Sequence, residues 1–428
     1  MSDYSRAVLW VGEVFLIGLA VRVTAGGFSM GLRLGPGAMV AAAFIGPGTI
    51  TTASVAGATT GITLIWAIAF SIFATVLLQE LSVRSALTTD RDLATLVRDF
   101  GAGYWWGVPV LLLIVLAVGV GNAAYQSGNL SGAGIGLSTA FGVNSAAVVL
   151  VCATVAAILI VINRYRLLER ILVGLVAMMG LLFIGLALFL APLLWSQPEI
   201  RLLPNFSGTN LTLILALIGT TVVPYNLFLH ATAARQHWRG SAIDEALSGA
   251  RWESCVAISF GGLTTTAIVV VAAALVPGAV DQPPLDAVIS AIEGQIPGWG
   301  ATILGIGLFA AGLTSAIAAP VAAGWTICGA MGWSVETHSL RFKVVALTVV
   351  LVGGFFAVVT SRPAALIVTA QVTNALLLPL IALVLMVVAN SALLPRAYRN
   401  HIVLNAAAIL VLVIVTLLAV SKLMKLFG

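Results

Sequence analysis

Two short stretches place polar and backbone chemistry inside an otherwise apolar chain. The first, "FIGPGTITTA" (44–53), sets Gly46, Pro47 and Gly48 ahead of Thr49, Thr51 and Thr52. The second, "IGTTVVPYNLFLHA" (218–231), sets Thr220 and Thr221 before Val223, Pro224 and Tyr225. Proline removes a backbone donor and clashes with the preceding turn, so each stretch reads either as a proline kink or as a true break in a helix. A break inside a membrane frees N–H groups at the start of one half-helix, which favour anionic groups, and carbonyls at the end of the other, which favour cations. Two breaks at matching places in two halves of a chain favour a binding site over two unrelated kinks.

The titratable residues narrow the chemistry further. None of the 15 acidic residues falls near the middle of an expected span. Cys152, Cys255 and Cys328 stand in apolar runs without C-x-x-C spacing, so neither a disulfide framework nor a zinc site is expected. His230 is the histidine set deep in a span; it reads either as a coupling group that titrates during transport or as a hydrogen-bonding residue of the bundle. With no catalytic triad, phosphate loop or zinc motif, the chain is not expected to be an enzyme, no cofactor is expected, and no residue is assigned to a metal.

These residues are positioned by membrane helices. Of the 428 residues, 61% are hydrophobic and 8% charged, and apolar runs of spanning length recur throughout. About 20 apolar residues cross the hydrocarbon layer as a helix, and the runs do not alternate as barrel strands would. Eleven spans are expected at 36–58, 61–80, 106–130, 146–163, 168–192, 210–233, 254–277, 300–327, 343–360, 364–389 and 402–424. With the N-terminus cytoplasmic, the inner side collects sixteen of the 20 Lys and Arg residues, Arg84, Arg251, Arg396 and Arg399 among them. Such a bias is what the positive-inside rule produces, so the net charge of +5 reports topology and no nucleic-acid partner is expected. The expected domains are an N-terminal cytoplasmic or interfacial segment over 1–34 and a transporter domain over 35–428. The latter divides into repeats at 36–192 and 210–389 and an extra helix at 402–424. Within 1–34, residues 8–23 read as an interfacial helix or a dispensable leader, and Met30 is a second candidate start. The expected location is a cell membrane, multi-pass, of the bacterial inner-membrane kind.

The broken stretches resemble the NRAMP (natural resistance-associated macrophage protein) transporters. That family carries D-P-G-N in span 1, M-P-H in span 6 and G-x-x-A-A-G-Q-S-S in span 8; the matching stretches here are "GPGT" (46–49), "VPY" (223–225) and "GLFAAGLTS" (307–315). "LLQELSVRSALTTDRDLATLVR" (77–98) and "AQVTNALLLPL" (370–380) are similar to family segments as well, so the likeness covers about residues 35–390. It implies an all-α LeuT-type fold, a 5+5 inverted repeat with helices 1 and 6 broken, and alternating access. The departures are as informative. The family's metal-binding Asp, Asn and Met positions are Gly46, Thr49 and Val223; Gln371 corresponds to a span-10 glutamine that helps bind metal; and the acidic proton relay of span 3 becomes Asn122 and Tyr125. Of the two span-6 histidines, one is Tyr225 and the other is kept as His230.

A neutral pocket of small residues suits a zwitterion, which needs no protein charge to balance it. The expected substrate is therefore a small carboxylate-bearing solute such as an amino acid, held by Gly46, Gly48, Thr49 and Thr52 on one break and by Thr220, Thr221, Val223, Tyr225 and Gln371 opposite. The alternative is a divalent metal ion, Mg2+ or Mn2+, since hard cations favour oxygen ligands and keep much of their water. The expected partners are that solute or ion, the lipid bilayer and a co-transported H+ or Na+.

Overall fold

A computed structural model describes residues 35–162, 165–195, 208–276, 285–360 and 363–427. Among these the elements are helical throughout. The first half runs α1 (Pro36–Phe44), α2 (Pro47–Thr60), α3 (Ile65–Thr89), α4 (Leu93–Gly101), α5 (Gly107–Phe141), α6 (Ser145–Ile162) and α7 (Tyr165–Trp195). The second runs α8 (Gly208–Thr221), α9 (Pro224–His237), α10 (Ile243–Leu275), α11 (Leu285–Gln295), α12 (Gly300–Ala330), α13 (Leu340–Val359), α14 (Pro363–Asn390) and α15 (Ile402–Phe427). Nine helices among the described residues are long and apolar enough to cross a membrane, the α8–α9 pair counting as one. The broken pair α1–α2 and α14 are the other two of the eleven expected segments and are not among those nine. Residues 1–34, with the expected interfacial helix at 8–23, lie outside the described residues.

Both expected breaks are present. Ile45 leaves helical geometry at φ −82° and ψ 69°, Gly46 is extended, and Pro47 reopens the helix at its first position. The break is therefore centred on 45–46 rather than 46–48, because the fixed φ of proline suits the first helical turn and its missing N–H would be unsatisfied there anyway. Val222 and Val223 make the second break in the same way, with Val223 extended and Pro224 opening α9.

The four half-helices meet in the middle of the bundle. α9 packs against α1, α3 and α12; α2 packs against α8, and α12 touches both α1 and α2. α5 and α12 form the most extensive helix pair and wall one side, while α10 covers α1, α2 and α3 on the other. Gly132 of α5 makes the close approach possible, since a Cβ there would stand 2.3 Å from the Pro47 ring. The outer faces of α5, α6, α13 and α15 carry exposed Leu116, Val151, Phe355 and Leu417, as a lipid-facing surface requires.

One expectation about a charged segment changes. The second span was expected to end at Glu80, but α3 continues to Thr89 and buries Glu80 and Arg84 inside the bundle. The two side chains neutralise each other one turn apart, with Arg84 Nε 3.0 Å from Glu80 Oε1, so the helix need not end at the first charge. Further on, α4 buries Leu93, Ala94, Leu96 and Val97, and Arg91 just before it pairs outside with Asp99 at 2.9 Å. Asp92 caps it by accepting the Thr95 N–H at 2.9 Å.

Candidate functional site

α1 ends inside the bundle, so the carbonyls of its last turn have no helical partner. The Ile45 N–H takes the Ala41 carbonyl at 2.9 Å, and side chains from three other elements take the rest. Thr49 of α2 donates its hydroxyl to the Phe44 carbonyl. The Tyr225 hydroxyl of α9 donates to the Ala43 carbonyl at 3.1 Å, and Ser315 Oγ of α12 donates to the Ala42 carbonyl at 3.0 Å. All three side chains are buried.

A hydroxyl has one proton and two lone pairs. Thr49 spends its proton on Phe44, so in the 2.7 Å contact between Thr49 Oγ1 and Thr220 Oγ1 the proton comes from Thr220. Each of Thr49, Thr220, Tyr225 and Ser315 has thereby spent its proton and keeps acceptor capacity. Around Gly46 the surface is lined by further oxygens: a Cβ there would lie 2.8 Å from Ser315 Oγ and 3.6 Å from Asn129 Oδ1. In the first turn of α2 Pro47 has no N–H and the Thr49 and Ile50 amides donate to the Gly46 carbonyl at 3.0 and 3.2 Å, which leaves the Gly48 amide as the donor of that turn. The four hydroxyls at the break therefore offer lone pairs that suit a cation or its water shell, while Asn129 Nδ2 and the Thr52 hydroxyl, without partners among the described residues, keep donor capacity nearby.

Among the expected site residues, Gly46, Thr49, Thr220 and Tyr225 come together at the break. Gly48 sits in the first turn of α2, and Val223 caps α9 and accepts the Asn226 N–H at 3.0 Å on its carbonyl. Thr52 is buried on α2, and its hydroxyl has no partner among the described residues. Thr221 is not part of the cluster's hydrogen bonding: its hydroxyl bonds back to the Leu217 carbonyl of α8 at 3.0 Å. Gln371 falls in α14, but its side chain lies outside the described residues. Asn122 donates to the Ala319 carbonyl at 2.9 Å, and the ring of Tyr125 meets that of Tyr225 edge-on at 5.8 Å. His230 is fully buried on α9, with Gln79 Oε1 2.9 Å from one ring nitrogen and Ser254 Oγ 3.3 Å from the other.

Sequence reasoning missed Ser315, Asn129 and the carbonyls of Ala42, Ala43 and Phe44. Ser315 ends the "GLFAAGLTS" stretch and could have been found there; the carbonyls carry no signal in residue type. Among the described residues no three His, Cys, Asp or Glu side chains come together. The charge at the centre of the bundle is thus left to backbone and hydroxyl dipoles.

Two helices broken at facing prolines, joined by hydroxyl-to-carbonyl bonds and enclosed by continuous apolar helices, define an integral membrane protein of the LeuT-type fold. The profile of the family described as natural resistance-associated macrophage protein-like matches residues 37–425, and the chain belongs to that family. The divalent metal cation transporter MntH of Klebsiella pneumoniae is 27% identical over 302 residues, which cover 68% of this chain and 70% of that protein. The manganese transporter of Eremococcus coleocola superposes with a TM-score of 0.75 at 22% identity, covering 95% of this chain and 90% of that one. MhsT, solved in complex with L-phenylalanine, shares the fold more loosely, with a TM-score of 0.59 at 17% identity over 90% of this chain and 98% of its own.

Proposed function

We propose that the chain is a secondary transporter working by alternating access, and that it carries a divalent metal ion through the paired breaks with much of the ion's water shell retained. The observation that carries this reading is the set of hydroxyl lone pairs at the first break: Thr49, Thr220, Tyr225 and Ser315 have spent their protons on one another or on the carbonyls that end α1. Relatives named as divalent metal and manganese transporters support the same cargo. The expected amino-acid substrate gives way to the metal alternative, which the family and its relatives named as metal transporters favour.

The residue types decide which dication fits. Stripping a dication of water beside neutral oxygens alone leaves its charge uncompensated, a penalty of several kcal/mol. Mg2+ gives up its water reluctantly and is commonly held through it. Waters of the first shell donate hydrogen bonds outward, which is what Thr220, Tyr225, Ser315 and Asn129 Oδ1 are set to accept. A hard, hydrated Mg2+ therefore fits better than a softer ion that gains from sulfur or imidazole. Asn122 and Tyr125 do not carry a proton on and off near neutral pH, so transport runs without a span-3 acidic relay and His230 is the remaining proton-coupling candidate. The arginine distribution supports a cytoplasmic N-terminus, and the bacterial relatives support an inner membrane as the location.

The test is ligand-dependent thermal stability of the purified protein, since a ligand that binds only the folded state stabilises it by mass action. Mg2+ should raise the melting temperature, Mn2+ less so, and a panel of amino acids not at all. Tyr225→Phe and Ser315→Ala should each weaken the Mg2+ effect about tenfold in concentration. Stabilisation by an amino acid and not by Mg2+ would reject the proposal.

A further inference from the structure

Away from the breaks, one set of buried charges remains that cargo binding does not use. Glu80 and Arg84 of α3 both have side chains 4% exposed. Arg251 of α10 reaches Glu80 Oε1 at 2.7 Å through Nη2, so one carboxylate holds two guanidinium groups. The far side of Arg84 crosses to the connection between α14 and α15, donating to the Tyr398 carbonyl and to Asn400 Oδ1. The Tyr398 hydroxyl closes the ring by donating to Asp244 of α10 at 3.1 Å. Three separate parts of the chain are pinned at the end of the bundle that carries Arg84, Arg251, Arg396 and Arg399.

A small cavity between α3 and α10 lies beside this network, lined by Glu80, Arg84, Arg251, Ser254 and Cys255. Ser254 also touches His230, whose other nitrogen meets Gln79, the neighbour of Glu80. From the break at Val223 to His230 is seven residues of α9, about 10 Å of helix. The half-helix α9, which opens at the second break, is therefore bonded at its middle to α3 through Gln79 and to α10 through Ser254, the two helices that wall the cavity.

We propose that Glu80, Arg84, Arg251 and Asn400 form a gate that closes the arginine-rich end of the transport pathway, and that α9 links its opening to the occupancy of the breaks through His230. A buried carboxylate shared by two arginines is costly to separate, because parting them strands charge out of water. Opening is possible when water enters the cavity and solvates the charges as they part. A ring of ion pairs of this kind gives two defined arrangements, closed and solvated, with little in between. The proposal rests on the transport reading but not on the identity of the cargo.

Cys255 provides a native reporter. Cys152 and Cys328 are buried, whereas Cys255 is partly exposed and lines the cavity. In a Cys152→Ala, Cys328→Ala background, the rate at which a charged, water-soluble methanethiosulfonate reagent modifies Cys255 reads water access past the gate. Glu80→Gln should speed modification about tenfold or more, since it removes the charge that holds both arginines. Asn400 sits in the connection rather than in a helix, so its variants test the same gate without disturbing the core. Asn400→Ala should speed modification several-fold, and Asn400→Asp, which adds a charge opposite Arg84, should slow it. Because labelling needs no cargo, a failed cargo assignment leaves this result interpretable. Modification rates equal to the parent in both Glu80→Gln and Asn400→Ala would overturn the gate, as would Asn400→Asp opening it.

Discussion

Replacing Thr49 or Thr220 by valine keeps shape and volume close while removing the hydroxyl, so any effect reads the hydrogen-bond chain across the two breaks. The two replacements are not equivalent, because the proton of Thr49 goes to the Phe44 carbonyl and that of Thr220 goes to Thr49. Thr49→Val leaves two buried groups unsatisfied, the Phe44 carbonyl and the Thr220 proton, each costing about 1–3 kcal/mol. Thr220→Val leaves Thr49 still bonded to Phe44 and loses a single hydrogen bond, about 0.5–1.5 kcal/mol net. In the double variant the stranded Thr220 proton is gone as well, so its cost should fall short of the sum by roughly 1 kcal/mol. Reversible unfolding of the purified protein in mixed micelles measures all four corners of the cycle. Equal costs for the two single variants, or strict additivity in the double, would refute the proton assignment on which the hydroxyl lone pairs at the break depend.

Further outcomes follow from the same structure. Gly132→Val places side-chain atoms where the Pro47 ring lies, so it should shift the first break, destabilise by about 1–3 kcal/mol and abolish Mg2+-dependent stabilisation; a variant that melts and binds as the parent does would contradict that packing. His230→Ala should remove any pH-driven accumulation in proteoliposomes while leaving Mg2+ binding intact, and unchanged accumulation would exclude His230 as the coupling group. Outside the membrane, the N–H groups of Ala301, Gly298 and Gly300 hold the Glu293 carboxyl below its ordinary value of 4.5. A lowered folded value means that the contribution is present above 4.5 and is lost as pH falls through the folded value. Hydrogen exchange at the Gly298 and Ala301 amides should accordingly rise at low pH relative to the intrinsic rate, and Glu293→Gln should remove that pH dependence.

The breaks were legible because proline and glycine report backbone geometry directly, and Thr49, Thr220 and Tyr225 were legible because they flank them. The character of the site was not. Whether a hydroxyl acts as donor or acceptor depends on where its single proton goes, and that is settled by carbonyls of Ala42, Ala43 and Phe44 that no residue type announces. The carboxylate-binding expectation counted on the amides that follow Gly48, and those of Thr49 and Ile50 are taken by the Gly46 carbonyl. The Thr221 hydroxyl is turned one helical turn back, to the Leu217 carbonyl, which residue type alone does not announce. Glu80 was hidden by hydropathy, which ends a span at the first charge and does not see that Arg84, one turn on, and Arg251, from another helix, neutralise it.

Radiometric or fluorescent uptake into sealed proteoliposomes tests the cargo most directly, with Mg2+, Mn2+ and a mixture of amino acids offered separately. Each is offered with and without a pH gradient. The account predicts saturable Mg2+ uptake that is larger than that of Mn2+, is weakened by Tyr225→Phe and Ser315→Ala, and has no counterpart for amino acids. Amino-acid uptake without Mg2+ uptake, or Mg2+ uptake indifferent to both substitutions, would contradict it.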